Sequence, residues 1–598
     1  MKEIESGPLT VNAVEVISPS PSPLPRLWVA CVGVLTFLAY VGTLRFQFVH
    51  DDRGIIVQNP AAHSWRAVPS YFTSAVWQGV TPAFLANAYR PVYLLWFRIN
   101  DAIFGSHASG WHFTSVVAHL VATYCVFLLA RRISGEWPTA LFSGLLFGLH
   151  PVHIEGVAWI SGVDDPLVAG LLISAYLCWL RYREAGSIVR PWLGASLALY
   201  ALAMLIKETA IILPLILFVS QWLGFPRPLG SRPRGYMQKL LQGLKVLLPF
   251  IALTALYLMV RIVALKGFWH PAAQIGWLTV MLTWPSLLVF YAKLLLWPVG
   301  LSPFYGLEYV LHPTLRNTIF PAMVLFLVAG GLWKWASRSR PVALAIPWLI
   351  VPLLPVLNVQ VFGNGNFAHN RYLYLPSVGF VMLLALALRK INFGKLLFGG
   401  IPSSQALVVL GLAILMGFAI QVEDRYYASD AAFYSFAYSR TKSPDPVIAM
   451  DYANTLAEQG DSGHAAEIYR ELIQAHPDMW NAFFNFGYMC YQLGELNSAE
   501  EYLSRAAAGD STNAAAAFYL GLTDFKLNHT HEAEANLRRA IVLAPAAPNY
   551  HFALGMVLKV NGDWSGAMAQ FTKELEINPG LQAAAQQAAE IKTKIVGK

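Results

Sequence analysis

Two adjacent carboxylates, Asp51 and Asp52, stand in the stretch FQFVHDDRGIIVQNP (residues 46–60), directly behind an apolar run over 27–46. Acids at the edge of such a run are costly, and they mark either a working site or a paired structural one. The structural use is a cap or turn, where Asp is common. The chemical use is general-base catalysis: a carboxylate whose pKa is lifted by a like-charged neighbour and by poor hydration can take the proton of a hydroxyl.

Other ionisable residues sit near the ends of apolar runs. They are Asp101, Glu155, Asp164, Asp165, Glu208 and Glu308, the histidines of HPVHIEG (His150, His153), Lys207 of KET, and His369 and Arg371 in NGNFAHNRYLYLPS. Arg371 and Lys207 are of the types that hold a phosphate, Arg through its planar fork and Lys as a point charge. Pairing or snorkelling is their structural alternative. For His150 and His153, structural hydrogen bonding comes ahead of catalysis. The cysteines Cys31, Cys125, Cys178 and Cys490 have no metal-ligand spacing, so they predict neither a zinc site nor a disulfide.

The elements that must position these groups are membrane helices. Of the 598 residues, 56% are hydrophobic and 13% charged, where soluble proteins carry about a quarter charged. The net charge of +8 is split: residues 1–420 hold 29 Lys+Arg against 13 Asp+Glu, and the remainder holds 13 against 21. A basic excess confined to the apolar part reflects orientation in a bilayer and implies no nucleic acid. Residues 1–26, with SPSPSPLP, read as a disordered cytosolic tail, and no small-residue cleavage site follows the first apolar run.

Apolar runs of the ~20 residues needed to cross a bilayer begin near Leu27, Trp111, Pro138, Pro166, Pro191, Thr209, Leu244, Ile319, Pro341, Tyr372 and Ser404, eleven in all. Threaded from an inside N-terminus, they leave Arg131 and Arg132, RYREAGSIVR, PRPLGSRPRGYMQK, KWASRSR and RKINFGK in inner loops, as the positive-inside rule asks. The acids above and the C-terminal region then fall on the outer side. The run over 275–297 is expected to be re-entrant or interfacial and broken at Pro285; as a twelfth span it would bring the C-terminal region inside.

After Gln421 the composition turns soluble, and residues 445–580 repeat with a period of 34. Ala453, Gly487, Gly521 and Gly555 form one column, Gly460, Gly494, Asn528 and Gly562 a second, and Ala465, Ala499, Ala533 and Ala567 a third. These are four tetratricopeptide repeats, with small residues where paired helices approach and Pro477, Pro545 and Pro579 in the turns between repeats. The plan is therefore all-α: a tail over 1–26, a transmembrane domain over 27–421 whose outer loop 46–110 holds the acidic motif, a linker helix over 422–444, the repeats, and a capping helix over 581–598.

With these motifs in place, the chain resembles the transmembrane and tetratricopeptide repeat-containing O-mannosyltransferases, within the GT-C class that uses polyprenyl-phosphate sugars. FVHDDRGIIVQNP, YRPVYLLWFRIND (89–101), HPVHIEGVAWISGVDDPLVA (150–169), KETAI (207–211) and NRYLYLPSVGF (370–380) carry the resemblance, in that order and ahead of the repeats. It implies two amphipathic helices in the loop 46–110, Asp51 as catalytic base with Asp52 beside it, Asp165 as the acid of a GRAD-like motif, and Arg371 and Lys207 on the lipid phosphate. Glu208, His150 and His153 join them on the substrate side. Val163 stands where the family has Arg, and Asn370 where it usually has an acid.

The function expected is transfer of mannose or another hexose from a polyprenyl-phosphate donor to an acceptor hydroxyl, on protein Ser or Thr, at the outer or lumenal face. The repeats would bind the acceptor protein, and no metal ligand set is evident. The membrane is either a bacterial inner membrane with periplasmic repeats or an endoplasmic reticulum membrane with lumenal ones. A membrane-anchored repeat scaffold is the alternative, but it needs far fewer helices and gives no reason for the acids to gather on one face. A transporter would put ionisable groups in mid-membrane rather than at one edge.

Overall fold

A computed structural model describes residues 24–77, 88–185, 190–226, 236–267, 275–361, 364–391, 397–398, 401–440 and 445–596. The tail expected over 1–26 lies outside them as far as residue 23. The chain divides into two compact units, the first within residues 1–303 and 307–429 and the second within 304–306 and 430–598.

In the first unit, nine helices among the described residues are long and apolar enough to cross a membrane, and a tenth span is formed if the bent pair Trp137–Gly148 and Pro151–Ala158 is one crossing. Helices are the natural outcome for such segments, because each backbone N–H and C=O is satisfied within the segment itself. Close approach fixes their packing where Cβ atoms are absent. At Gly379 a Cβ would fall 2.8 Å from Leu349 Cα, so only glycine lets the helix Tyr374–Leu388 lie against the helix Arg340–Ile350.

This inventory corrects the expected eleven spans in two places. The runs beginning at Pro191 and Thr209 form the shorter apolar helices Pro191–Ile206 and Glu208–Trp222, separated at Lys207, whose backbone is extended with φ −153° and ψ 131°. The run over 275–297, expected to break, is the continuous helix Trp277–Leu296, with Pro285 inside it. Proline removes one backbone donor there, and membrane helices tolerate that where hydroxyls supply local bonds. Thr283 Oγ1 donates to Thr279 O at 2.8 Å and Ser286 Oγ to Thr283 O at 3.0 Å.

Between the first and second spans, the described residues hold several single turns and one regular amphipathic helix, Pro91–Phe104. Residues 78–87 of that loop lie outside the described residues, so the second helix implied by the resemblance has no counterpart of regular length among those described.

The second unit is a stack of antiparallel helix pairs: Pro446–Glu458 with Ser462–Ala475, Trp480–Leu493 with Leu496–Gly509, Ala514–Lys526 with Thr530–Leu543, and Tyr550–Val560 with Trp564–Ile577. A final helix, Gln582–Val596, covers the last pair. The two alanine and glycine columns do mark close approach. Ala453, Ala465, Ala499, Ala533 and Ala567 are fully buried, and a Cβ on Gly521 would lie 2.8 Å from Leu537 Cγ. The column of Gly460, Gly494, Asn528 and Gly562 has a different cause, because all four take a left-handed φ of 64–85° in the turn between paired helices.

Candidate active site

The chain leaves the first span at Arg45 and turns at His50, which takes a φ of 50°, an uncommon value for a residue with a side chain. Asp51 and Asp52 follow that turn and point to different surroundings. Asp52 is fully buried. Its Oδ1 accepts the Ser161 backbone N–H at 2.8 Å and the Ser161 hydroxyl, and its Oδ2 accepts the Val49 N–H at 3.1 Å. Burial pushes its carboxyl up to about 7; the bonds from Ser161 and Val49 pull the other way, and the Asp51 charge adds to the rise.

Asp51 keeps 30% of its side chain exposed, and its Oδ1 lies 3.5 Å from His50 Nε2. The His50 ring lies 5.7 Å from that of Trp159, whose Nε1 donates to Val49 O at 3.3 Å. The Arg371 guanidinium sits 5.2 Å from the centre of the Trp159 ring and 5.6 Å from that of Tyr372. Arg371 Nη1 is 3.4 Å from Glu155 Oε1, and its backbone N–H donates to Glu155 Oε2 at 3.1 Å. Glu155 is buried while Arg371 keeps 23% of its side chain exposed. The charge of Asp51 acts on Arg371, so a partly exposed carboxylate and a partly exposed guanidinium lie within electrostatic reach of each other.

A second network joins the partly exposed Arg90 and Glu208 to the buried Asp164, Asp165 and Lys207. Arg90 grips Glu208 bidentately, Nε to Oε2 at 3.0 Å and Nη2 to Oε1 at 2.7 Å, and gives Nη1 to Asp164 Oδ2 at 2.8 Å. Lys207 Nζ reaches the same Asp164 oxygen at 3.3 Å and Asp165 Oδ1 at 2.5 Å. The extended backbone at Lys207 makes this possible, because it separates two helices and directs the ammonium inward. Lys207 is 4% exposed, so its charge is met by two acids rather than presented to solvent.

The structure brings Asp51, Asp52, Asp165, Lys207, Glu208 and Arg371 into one region through these contacts. His150 and His153 serve structural bonds. His150 Nε2 bonds with Leu295 O at 3.0 Å and its Nδ1 accepts the Val152 N–H, capping the turn Pro151–His153. His153 Nε2 meets Ser377 Oγ at 2.8 Å within a cluster of His119, Phe147 and Tyr374.

Sequence reasoning passes over Arg90, Trp159 and Ser161. Arg90 carries a signal as the one cation at the start of YRPVYLLWFRIND, beside a proline that fixes the helix start. Trp159 and Ser161 lie in WISG, where nothing in residue type or spacing reveals a bond to a loop 109 residues earlier.

Fold and site together define a polytopic helical membrane protein with a tetratricopeptide-repeat unit. The family profile described as dolichyl-phosphate-mannose-protein mannosyltransferase matches residues 89–252, and a tetratricopeptide repeat profile matches 451–517 and 518–581. Protein O-mannosyl-transferase TMTC1 of Mus musculus is 25% identical over 585 residues, covering 80% of this chain and 62% of that protein. Protein O-mannosyl-transferase TMTC3 of Mus musculus is 25% identical over 493 residues, covering 77% and 52%. Protein O-mannosyl-transferase Tmtc2 of Drosophila melanogaster is 36% identical over 184 residues, covering 30% and 20%. The resemblance carried by the motifs thus extends over most of this chain, which itself spans 62% and 52% of the first two relatives.

Proposed function

We propose that the chain is a membrane mannosyltransferase that moves the sugar from a polyprenyl-phosphate donor to a hydroxyl of an acceptor protein, at the outer or lumenal face. The observation that carries this reading is the partly exposed Asp51, whose charge acts on the partly exposed Arg371 beside Trp159, together with the Arg90–Asp164–Lys207–Asp165 network. The likeness to proteins named O-mannosyl-transferases supports it. Asp51 takes the proton of the acceptor hydroxyl. The hydroxyl oxygen forms a bond to the anomeric carbon as the bond from that carbon to the phosphate oxygen breaks, and the lipid phosphate leaves with the electron pair, held by Arg371. A single in-line displacement of this kind inverts the anomeric carbon.

In this reading Asp52 is a positioning residue, since it is buried against Ser161 and meets no acceptor. Lys207 and Asp165 hold Asp164, to which Arg90 and through it Glu208 are bound. The repeat unit supplies a surface for the acceptor protein.

The test is transfer of labelled mannose from polyprenyl-phosphate mannose by the purified full chain in liposomes. Asp51→Asn keeps the shape and loses the base, so transfer falls by about 10² to 10⁴ while donor binding survives. Arg371→Ala weakens donor binding. Full transfer by Asp51→Asn removes the assigned base, and no transfer by the parent chain from any polyprenyl-phosphate hexose overturns the enzyme reading.

A further inference from the structure

The repeat unit holds a cluster of side chains that sugar transfer does not use. Glu500 comes from the second helix of the second repeat, Leu496–Gly509; Asp524 comes from the first helix of the third, Ala514–Lys526; and His529 follows in the turn of that repeat. Their ligand-capable atoms all lie within 4.8 Å of one another, with His529 Nδ1 3.1 Å from Glu500 Oε1.

The turn that carries His529 is fixed by the left-handed Asn528 and by the His529 backbone N–H, which donates to Asp524 O at 2.8 Å. Asp524 is 2% exposed, and its Oδ2 accepts Asn536 Nδ2 at 2.8 Å. His529 and Glu500 keep 49% and 37% of their side chains exposed, so the cluster is open to solvent on one side. Two carboxylates thus converge beside an imidazole, with the buried one oriented by an amide, which is the arrangement of an oriented ligand set.

We propose that Glu500, Asp524 and His529 bind a divalent cation of the zinc type, which clamps the second repeat to the third. Two carboxylates and one imidazole form a borderline donor set with three protein ligands, suited to zinc with water completing the coordination. Calcium takes six to eight oxygen ligands and magnesium keeps a near-octahedral oxygen shell, so neither fits three ligands that include a nitrogen. Asn536 acts from the outer sphere by holding the Asp524 carboxylate. The site rests on the repeat unit alone and is independent of the transferase reading.

Zinc chloride titrated calorimetrically into the full chain in detergent tests this. The parent binds one more zinc per chain than Glu500→Gln or His529→Ala, and Asn536→Ala binds that zinc about 10- to 100-fold more weakly. Zinc raises the unfolding temperature of the parent and not that of Glu500→Gln, while an excess of calcium or magnesium leaves zinc bound. His464→Ala, an exposed histidine in the first repeat, leaves binding unchanged. Equal zinc stoichiometry and affinity in the parent and Glu500→Gln overturns the proposal and makes the trio an ordinary ion pair; because Glu500 is partly exposed, that variant folds and the comparison stands.

Discussion

Asp52 Oδ1 meets the Ser161 backbone N–H at 2.8 Å across 109 residues of chain, and the Ser161 hydroxyl donates to the same oxygen. This contact ties the loop after the first span to the turn that precedes Asp164 and Asp165. Trp159, which carries Arg371 over its ring and donates to Val49 O, lies beside that turn, so the placing of Arg371 near the loop of Asp51 depends on a carboxylate that solvent does not reach.

The Asp52 carboxyl sits at about 7 in the folded chain against an ordinary value of 3.8. An acid raised in this way holds its proton in the fold where the unfolded chain has lost it. The contribution of Asp52 to stability is therefore fully present below about pH 4 and is lost as pH rises toward about 7, with a slope of up to ~1.4 kcal/mol per pH unit. Thermal unfolding in detergent across that range should show a steeper decline in the parent than in Asp52→Asn. Parallel curves for the two would mean that Asp52 is ionised throughout.

Lys207 is 4% exposed and faces Asp164 and Asp165, themselves almost wholly buried. Removing one member of such a set leaves a buried charge without its partner, at a cost of about 3–5 kcal/mol. Lys207→Met should lower the unfolding temperature sharply, and adding Asp165→Leu should recover part of the loss. An unchanged unfolding temperature for Lys207→Met would show that the acids are already neutral.

Ala499 is fully buried where the paired helices of the second repeat meet. Ala499→Trp should overpack that contact and cost roughly 1–3 kcal/mol, seen as earlier unfolding of the repeat unit. Acceptor transfer should fall more than lipid-donor binding. Equal loss of both would argue against a separate recognition role for the repeats.

Topology is open to a direct test. A reporter fused after Lys598 should be active on the outer side, and one inserted at Arg232, in the basic stretch PRPLGSRPRGYMQK, on the inner side. Activity of the C-terminal reporter on the inner side would make the helix Trp277–Leu296 a full crossing, with the shorter helices Pro191–Ile206 and Glu208–Trp222 leaving the side of the chain unchanged as a pair.

Much of the architecture is legible in residue type and spacing. Nine of the expected spans have a counterpart among the nine long apolar helices or the bent pair, because a bilayer demands an uninterrupted apolar length and composition alone reveals that. The 34-residue columns mark the repeats because alanine and glycine recur where helices touch. The same columns mislead in one respect: Gly460, Gly494, Asn528 and Gly562 are small because of their left-handed φ, which residue type alone does not separate from close packing.

The candidate site is legible as a set of residue types and illegible as an arrangement. Its acids and cations can be named because charges are rare in such a chain and stand out at the ends of apolar runs. Which of Asp51 and Asp52 faces outward, that Lys207 is neutralised by Asp165, and that Arg90 clamps Glu208 to Asp164 follow from contacts between segments 40 to 120 residues apart. Local composition and periodicity are enough to specify a helical membrane unit, a repeat unit and the inventory of ionisable groups. Burial and pairing need the packed chain, because a carboxylate's environment is set by whichever distant backbone and side chains the assembled helices bring against it.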